Sequence, residues 1–232
     1  MPTATPTPVQ LRRPAALSAA EVDALNALFE AAHPTEIIRW ATGTFGDELC
    51  LTTSFSDTLL IDLAVAVDPD IEVVFLDTGL HFAETLATLR RAMVRYELNL
   101  RVERPDPDAP DLFEVGTEAC CASRKVAPLE RALAGRRAWL SGLRRDDHVG
   151  RSHTPIIQVD RRGLVKVNPL AAWPAAEADA YVAEHGIVLN PLLAEGFGSV
   201  GCWPCTELPT PGSDARSGRW ADSAKTECGI HL

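Results

Sequence analysis

Apolar residues along this chain recur in two alternating patterns. The stretch Glu48 to Phe55 (ELCLTTSF) is a short apolar run that ends in small polar residues. Leu59, Leu60, Leu63, Ala64 and Val67 follow at helical spacing, which predicts a strand, a tight turn and a helix. The unit repeats: IEVVFLDTG is a continuous β-branched run of buried-strand type, His81 to Tyr96 is helical in pattern, and NLRVERP is a strand again. After a Pro/Asp-rich loop, Pro105 to Pro110, a helix opens at Cys120-Cys121 and runs to about Ala134, and RAWLSGLRRD gives a further strand. PIIQVD and LVKVNPL flank Arg161-Arg162-Gly163 as a hairpin, Pro174 to His185 is helical, and Asn190 to Val200 reads as loop. Upstream, Ser18-Ala-Ala-Glu21 is a capping box for a helix that faces inward with Val22, Leu25, Leu28 and Phe29, and a second helix starts at Thr35.

Strands alternating with helices of ten to fifteen residues predict an α/β fold, a mostly parallel sheet with helices on both faces. In such sheets ligands bind beyond the carboxyl ends of the strands. The turns Thr53-Ser54-Phe55-Ser56-Asp57 and Asp77-Thr78-Gly79 fall there. Ser and Asp before a helix are ordinary caps, and no glycine-rich phosphate loop is present, but backbone N–H groups at a helix start can still cradle an anion. Residues 1–16, rich in Pro and Thr, are expected to form a disordered tail, 17–206 the α/β domain, and 207–232 a flexible C-terminal tail.

Charge narrows the function classes. The chain has 22 basic and 32 acidic residues, a net charge of −10, which counts against general nucleic-acid binding. An anionic ligand then needs a local basic cluster, and the candidates are Arg124 and Lys125, Arg144 and Arg145, Arg151, and Arg216 with Arg219. No apolar run is long enough to cross a membrane, and the N-terminus lacks the pattern of a secretory signal, so a cytoplasmic, reducing location is expected. There, six cysteines point to metal or catalytic use more than to structural disulfides.

Five of those cysteines sit in two places: the vicinal pair Cys120-Cys121, and a C-terminal stretch with Cys202-Trp-Pro-Cys205 and Cys228. Adjacent cysteines point in different directions and serve one tetrahedral ion poorly, whereas two irons of a cluster each need only their own thiolate. An iron–sulfur cluster, a zinc site and a set of inert buried thiols all remain open from spacing alone. Cys50, inside an apolar strand, reads as inert. Cys228 lies in a segment without hydrophobic periodicity, with Lys225 and His231 near enough in sequence to favour a thiolate.

Several of these motifs occur together in one family. Cys120-Cys121 with Arg124-Lys125-Val126, Gly142-Leu143-Arg144-Arg145-Asp146, Lys166-Val167-Asn168-Pro169-Leu170, Gly201-Cys202-Trp203-Pro204-Cys205-Thr206, Gly218-Arg219-Trp220 and Glu227-Cys228-Gly229-Ile230-His231 resemble the assimilatory adenylyl-sulfate reductases. These are the adenosine 5′-phosphosulfate (APS) branch of the phosphoadenylyl-sulfate reductase family, and the likeness spans roughly residues 35 to 232. The resemblance implies an adenine-nucleotide α-hydrolase-like, Rossmann-like fold and a 4Fe-4S cluster on Cys120, Cys121, Cys202 and Cys205. It implies that Cys228 attacks the sulfate sulfur of APS, expels AMP and becomes an S-sulfocysteine, and that thioredoxin or a similar dithiol releases sulfite. It carries substrate binding over to Ser54, Phe55, Ser56, Asp77, Thr78, Gly79, Lys125, Arg144, Arg145, Arg216, Arg219 and His231. A homo-oligomer is compatible with it; a membrane or nucleic-acid partner is not expected. One departure is the first turn, which reads Ser54-Phe55-Ser56-Asp57-Thr58 where the family usually has Gly soon after the Ser-Phe, and the charge of Asp57 opposes a phosphate. The alternatives are a reductase for the 3′-phosphorylated substrate and a non-enzymatic iron–sulfur redox regulator.

Overall fold

The computed structural model of the chain describes residues 17–110, 112–220, 225 and 227–231. The expected N-terminal tail, residues 1–16, lies outside the described residues. Helix α1 (Ala19–Phe29) begins at the anticipated capping box: Ser18 accepts from Glu21 N–H while the Glu21 carboxylate accepts from Ser18 N–H at 2.8 Å. Helix α2 (Pro34–Phe45) starts one residue before Thr35, because Pro34 suits a first helical position and His33 Nδ1 accepts from Thr35 N–H. The repeating part follows as β1 (Leu49–Thr53), α3 (Leu59–Val67), β2 (Val73–Leu76), α4 (Ala83–Tyr96) and β3 (Leu100–Glu103). Next come α5 (Leu112–Cys121), α6 (Ala127–Leu133), β4 (Ala138–Leu140), β5 (Ile157–Val159), β6 (Val165–Val167), α7 (Ala175–His185) and α8 (Pro191–Ala194).

Among the described residues six strands form one sheet in the order β3-β2-β1-β4-β6-β5, and every pairing is parallel except the β5–β6 hairpin. The chain winds outward from β1 through β2 to β3 and then returns to β4 on the other side of β1. That reversal puts the topological switch point between β1 and β4, where a crevice opens beyond the strand ends.

Successive strand residues point to opposite faces, and both faces are dry. Leu51, Val73, Phe75 and Leu140 pack with Ile37, Ile38 and Leu63 on one face; Cys50, Val74 and Trp139 pack with Leu129 and Leu133 on the other. Each such Leu or Val contributes roughly 1.5–3 kcal/mol by leaving water. Among the described residues no helix is long and apolar enough to cross a membrane.

Two local expectations are corrected. The helix near the vicinal cysteines opens at Leu112, so Cys120 and Cys121 stand at its end. The segment Asn190 to Val200 is not all loop: Asn190 accepts from Leu192 N–H and starts α8, with Pro191 at its first position. Between α5 and α6 the backbone widens into one π-helical turn, Ala122–Val126. Such turns displace side chains from ordinary helical positions and are frequent at functional sites.

Candidate functional site

The floor of the site is the turn after β1. Phe55 has φ +53°, a left-handed conformation unusual for a bulky residue, and its ring is fully buried edge-on to Phe75 at 5.3 Å. Its neighbours hold it there: Phe55 N–H donates to Thr53 Oγ1 at 3.1 Å, Asn190 N–H to the Ser56 carbonyl at 3.0 Å, and Thr58 N–H to the Val188 carbonyl at 3.1 Å. With the ring anchored below, Ser54 and Ser56 face upward, their hydroxyls 3.2 Å apart. Asp57 Oδ1 accepts from Leu59 N–H at 2.9 Å and so caps the start of α3. Burial raises the Asp57 pKa, against the pull of that N–H and of Arg144. The departure noted in the sequence is thus a carboxyl engaged in capping and shifted toward its neutral form.

Above this floor lies a cavity of about 540 Å³, lined by Ser54, Ser56, Ser141, Gly142, Arg144, Arg151, Arg216, Arg219, Lys125, Cys228 and His231. Cys120, Cys121, Cys202 and Cys205 share a second, smaller cavity with Thr78, Arg124 and Lys125. The loop bearing Cys202 is clipped to the sheet by a bridge between His81 and Cys202 and by Trp203 N–H donating to the Leu80 carbonyl at 2.8 Å. Thr78 Oγ1 lies 3.3 Å from Cys202 Sγ. Burial, and then the neighbouring Cys202, raise the Cys120 and Cys205 pKa values.

Lys125 reaches between the two cavities from the π turn. Burial pulls its pKa down, but the thiols of Cys202, Cys228 and Cys121 outweigh that and hold the ammonium charged. Among the described residues no carboxylate lies within ion-pair distance of it, and cysteines are its nearest possible anionic neighbours. A buried cation among four cysteines suits a soft, anionic, thiolate-ligated group. Among the described residues no three His, Cys, Asp or Glu side chains are arranged to hold a metal ion. The four thiols line one shared space.

Cys228 is buried, 8% exposed, at the junction of the cavities. A hydrogen bond from Cys121 lowers its pKa, burial opposes, and Lys125, the Ile230 N–H and Arg219 add to the lowering, to about 5. Arg219 donates to the Cys205 carbonyl and to Ser199 Oγ, both at 3.3 Å, and lies over the Trp220 ring at 4.5 Å. It can lie there only because residue 201 is glycine: a Cβ would stand 2.2 Å from a guanidinium nitrogen. Arg216 donates to the same Ser199 hydroxyl at 3.0 Å. His231 stacks on Trp139 at 6.3 Å, its Nδ1 3.3 Å from Lys166 Nζ. Burial and the nearby cations, Lys166 first, lower its pKa well below the usual value and keep the ring neutral.

The structure therefore brings Ser54, Ser56, Lys125, Arg144, Arg216, Arg219, Cys228 and His231 to one cavity. Others go elsewhere. The Phe55 ring is core, and only its backbone shapes the turn. Thr78 faces the cysteine cavity. Asp77 accepts from Gly79 N–H and pairs with Arg104 at 3.3 Å, and neither Asp77 nor Gly79 lines the large cavity. Arg145 turns away to Glu30 and the Thr154 carbonyl. Sequence reasoning named Arg151 only as a candidate cation, quoted Lys166 and Glu227 within motifs without giving them a role, and left out Ser141 and Ser199. Their signal was position alone: Ser141 precedes Gly142-Leu143-Arg144, and Glu227 precedes Cys228.

Residues 48–208 match the phosphoadenosine phosphosulfate reductase domain family. The four clustered cysteines fall inside that range and Cys228 beyond it. The chain is 46% identical to the adenosine 5′-phosphosulfate reductase of Streptomyces coelicolor, over 87% of this chain and 89% of the relative. It is 42% identical to the enzyme of the same name from Rhodococcus opacus, over 88% and 91%. Among solved structures it resembles the phosphoadenylyl-sulfate reductase of Candida auris, with TM-score 0.73, 30% identity, and 82% of this chain and 98% of that one covered. The FMN adenylyltransferase of Candida glabrata, at TM-score 0.58 and 15% identity over 91% of this chain and 78% of that one, shares the fold alone.

Proposed function

This chain belongs to the phosphoadenosine phosphosulfate reductase family, and from that premise we propose that it reduces APS to sulfite and AMP in sulfate assimilation. The observation that carries the reading is geometric: Cys228 is buried in the wall of a nucleotide-sized cavity that Lys125 and Arg219 also line.

The Cys228 thiolate attacks the sulfate sulfur, a sulfur–sulfur bond forms, and the bond from that sulfur to the bridging oxygen breaks. AMP leaves with the bridging oxygen on its phosphate, and the charge developing there is met by the cations that line the cavity. The thiolate of an external dithiol, thioredoxin or similar, then attacks Cys228 Sγ and releases sulfite. Its second thiol resolves the mixed disulfide, so that the dithiol is oxidised by two electrons and sulfate sulfur is reduced by two. The neutral His231 is a hydrogen-bonding group at the cavity wall, and the Ser54 and Ser56 side chains line the cavity that would hold the nucleotide.

Cys120, Cys121, Cys202 and Cys205 would hold a 4Fe-4S cluster, and when bound such a group supplies the anionic centre that explains a buried Lys125. Thiols that must stay reduced fit a cytoplasmic location.

Mixing the protein with APS and no dithiol is expected to stop after one turnover, with a sulfonate on the tryptic peptide containing Cys228. Added thioredoxin should release it as sulfite. An adduct on Cys50 instead overturns the mechanism, and faster turnover of the 3′-phosphorylated nucleotide reassigns the substrate. Iron and sulfide in anaerobically purified protein, lost in C202S, support the cluster; zinc in their place overturns it.

A further inference from the structure

Arg151 and Arg216, two of the cations at the cavity, are already engaged. Arg151 places Nη2 at 2.7 Å and Nε at 2.9 Å from Glu227 Oε2, and Arg216 Nη2 lies 3.4 Å from Glu227 Oε1. His148 adds to the ring: its Nδ1 accepts from Gly150 N–H at 3.1 Å, and its Nε2 faces the Glu227 carboxylate at 3.8 Å. All these side chains are partly buried, with Glu227 19% and Arg216 11% exposed. The arginines are themselves tied to the scaffold, Arg151 to Asp147 at 2.6 Å and Arg216 to Ser199. The same carboxylate reaches back along its own chain, since Cys228 N–H donates to Glu227 Oε1 at 3.0 Å. Burial alone would raise the Glu227 pKa, but Arg151, the Cys228 N–H and Arg216 together keep it below the usual value.

Lys125 and Arg219 differ. Among the described residues neither has a carboxylate within ion-pair distance, and both act on Cys228. Arg151 and Arg216 are thus held by the carboxylate of the residue before the nucleophile, whereas Lys125 and Arg219 stand at the cavity without such a partner.

We propose that Glu227 is a positioning residue: held by Arg151 and Arg216, its carboxylate seats residues 227–231 so that Cys228 Sγ stands between Lys125, Arg219 and Cys121. The proposal rests on Cys228 being the nucleophile. Charge-assisted, two-pronged contacts fix direction as well as distance, which a nucleophile in an otherwise irregular segment requires. A misplacement of about 1 Å at a reacting atom costs on the order of 100-fold in rate.

The test compares full-length wild type with E227Q, which keeps shape and an acceptor for Cys228 N–H but removes the charge. Three quantities are measured: the dissociation constant of AMP, the rate of Cys228 sulfonation in a single turnover at saturating APS, and the rate of Cys228 alkylation by iodoacetamide without substrate. Alkylation is done at alkaline pH, so that exposure and not ionisation decides it, and is followed on the Cys228 peptide. We expect AMP binding within about twofold, sulfonation slower by at least about tenfold, and alkylation faster by at least about fivefold. Unchanged sulfonation or unchanged alkylation overturns the proposal. Tighter AMP binding overturns it too, because Glu227 is then an internal competitor for the phosphate's arginines. Weaker or lost AMP binding makes the ion pairs part of the nucleotide scaffold and also overturns it. Should wild type fail to sulfonate at all, the proposed mechanism fails, while the alkylation arm still reports whether Glu227 seats the segment.

Discussion

The turn after β1 and the segment 227–231 face each other across one cavity, yet they are held there by different forces. The turn is anchored from below by a buried Phe55 ring and by the apolar faces of β1 and β4, which would pack much the same in any salt. The segment that carries Cys228 is fastened by Glu227 to two arginines at one end and by His231 to Lys166 and Trp139 at the other. The contrast is sharpest in two cysteines. Cys50 and Cys228 are both buried, but Cys50 lies in an apolar layer where burial pushes its pKa up to about 12, while Cys228 has Lys125 and Arg219 beside it to pull its pKa down. Burial is thus no guide to the reactivity of a thiol; the charge and donors brought with it decide.

Substitutions on each side should separate the two regions. The largest effect is expected from Cys228→Ser: turnover should fall by at least about 10³-fold, roughly 4 kcal/mol in the barrier, because a hydroxyl is scarcely ionised near neutrality. Thermal stability and AMP affinity should hardly change. Leu51→Ala on β1 is the counterpart. It should cost about 2–5 kcal/mol of stability by opening a cavity in the sheet. The protein that remains folded at low temperature should keep most of its turnover number. An L51A protein that is stable but inactive, or a C228S protein that unfolds early, would break the division between a floor held by packing and a segment held by charge.

The same division explains what the sequence could disclose. Apolar runs and 3.6-residue spacing are read locally, so β1 to β3, their helices and the β5–β6 hairpin were legible, as was the inert place of Cys50. The helix around the vicinal cysteines was misplaced because its first turn, Leu112 to Val115, is split from the rest by Gly116 at φ +75°. Arg144 and Arg145 look equivalent as a pair, but in a turn without periodicity nothing in the sequence says that one faces the cavity and the other Glu30. Glu227 meets Arg151 across 76 residues, a pairing that no local pattern encodes. Irregular segments fastened by long-range ion pairs are where reading from sequence ends.

Arg219→Ala probes a cation without a carboxylate partner. It should weaken AMP or APS binding by about 1.5–3 kcal/mol, the worth of a charge-assisted hydrogen bond to a phosphate-like group. Isothermal titration would show it. An unchanged dissociation constant would mean that Arg219 serves the fold through Trp220 and the Cys205 carbonyl and does not meet the ligand.

The smallest expected effect is also the most diagnostic, since it sets stability against activity at a single residue. Lys166 lies on β6, 1% exposed, with its ammonium 5.0 Å above the Trp139 ring and 3.3 Å from His231 Nδ1. Burial, then Arg151, lowers its pKa from 10.5 to about 8 against the opposing pull of Asp160 and Glu227. Because the folded-state value is the lower one, the unfolded chain binds more protons between about pH 8 and 10.5. The cost of burying the charge is then fully present below pH 8 and is relieved as pH rises through that window. Lys166→Met should remove the cost, raising stability at neutral pH by about 1 kcal/mol and flattening this part of the pH profile, as apolar replacement of a buried charge often does. The same change leaves His231 Nδ1 without its donor, so turnover should fall several-fold while AMP affinity holds. Denaturant unfolding across pH 7 to 10 and steady-state kinetics on the same sample would check both halves. A variant that loses stability and keeps full activity would show Lys166 to be scaffold only.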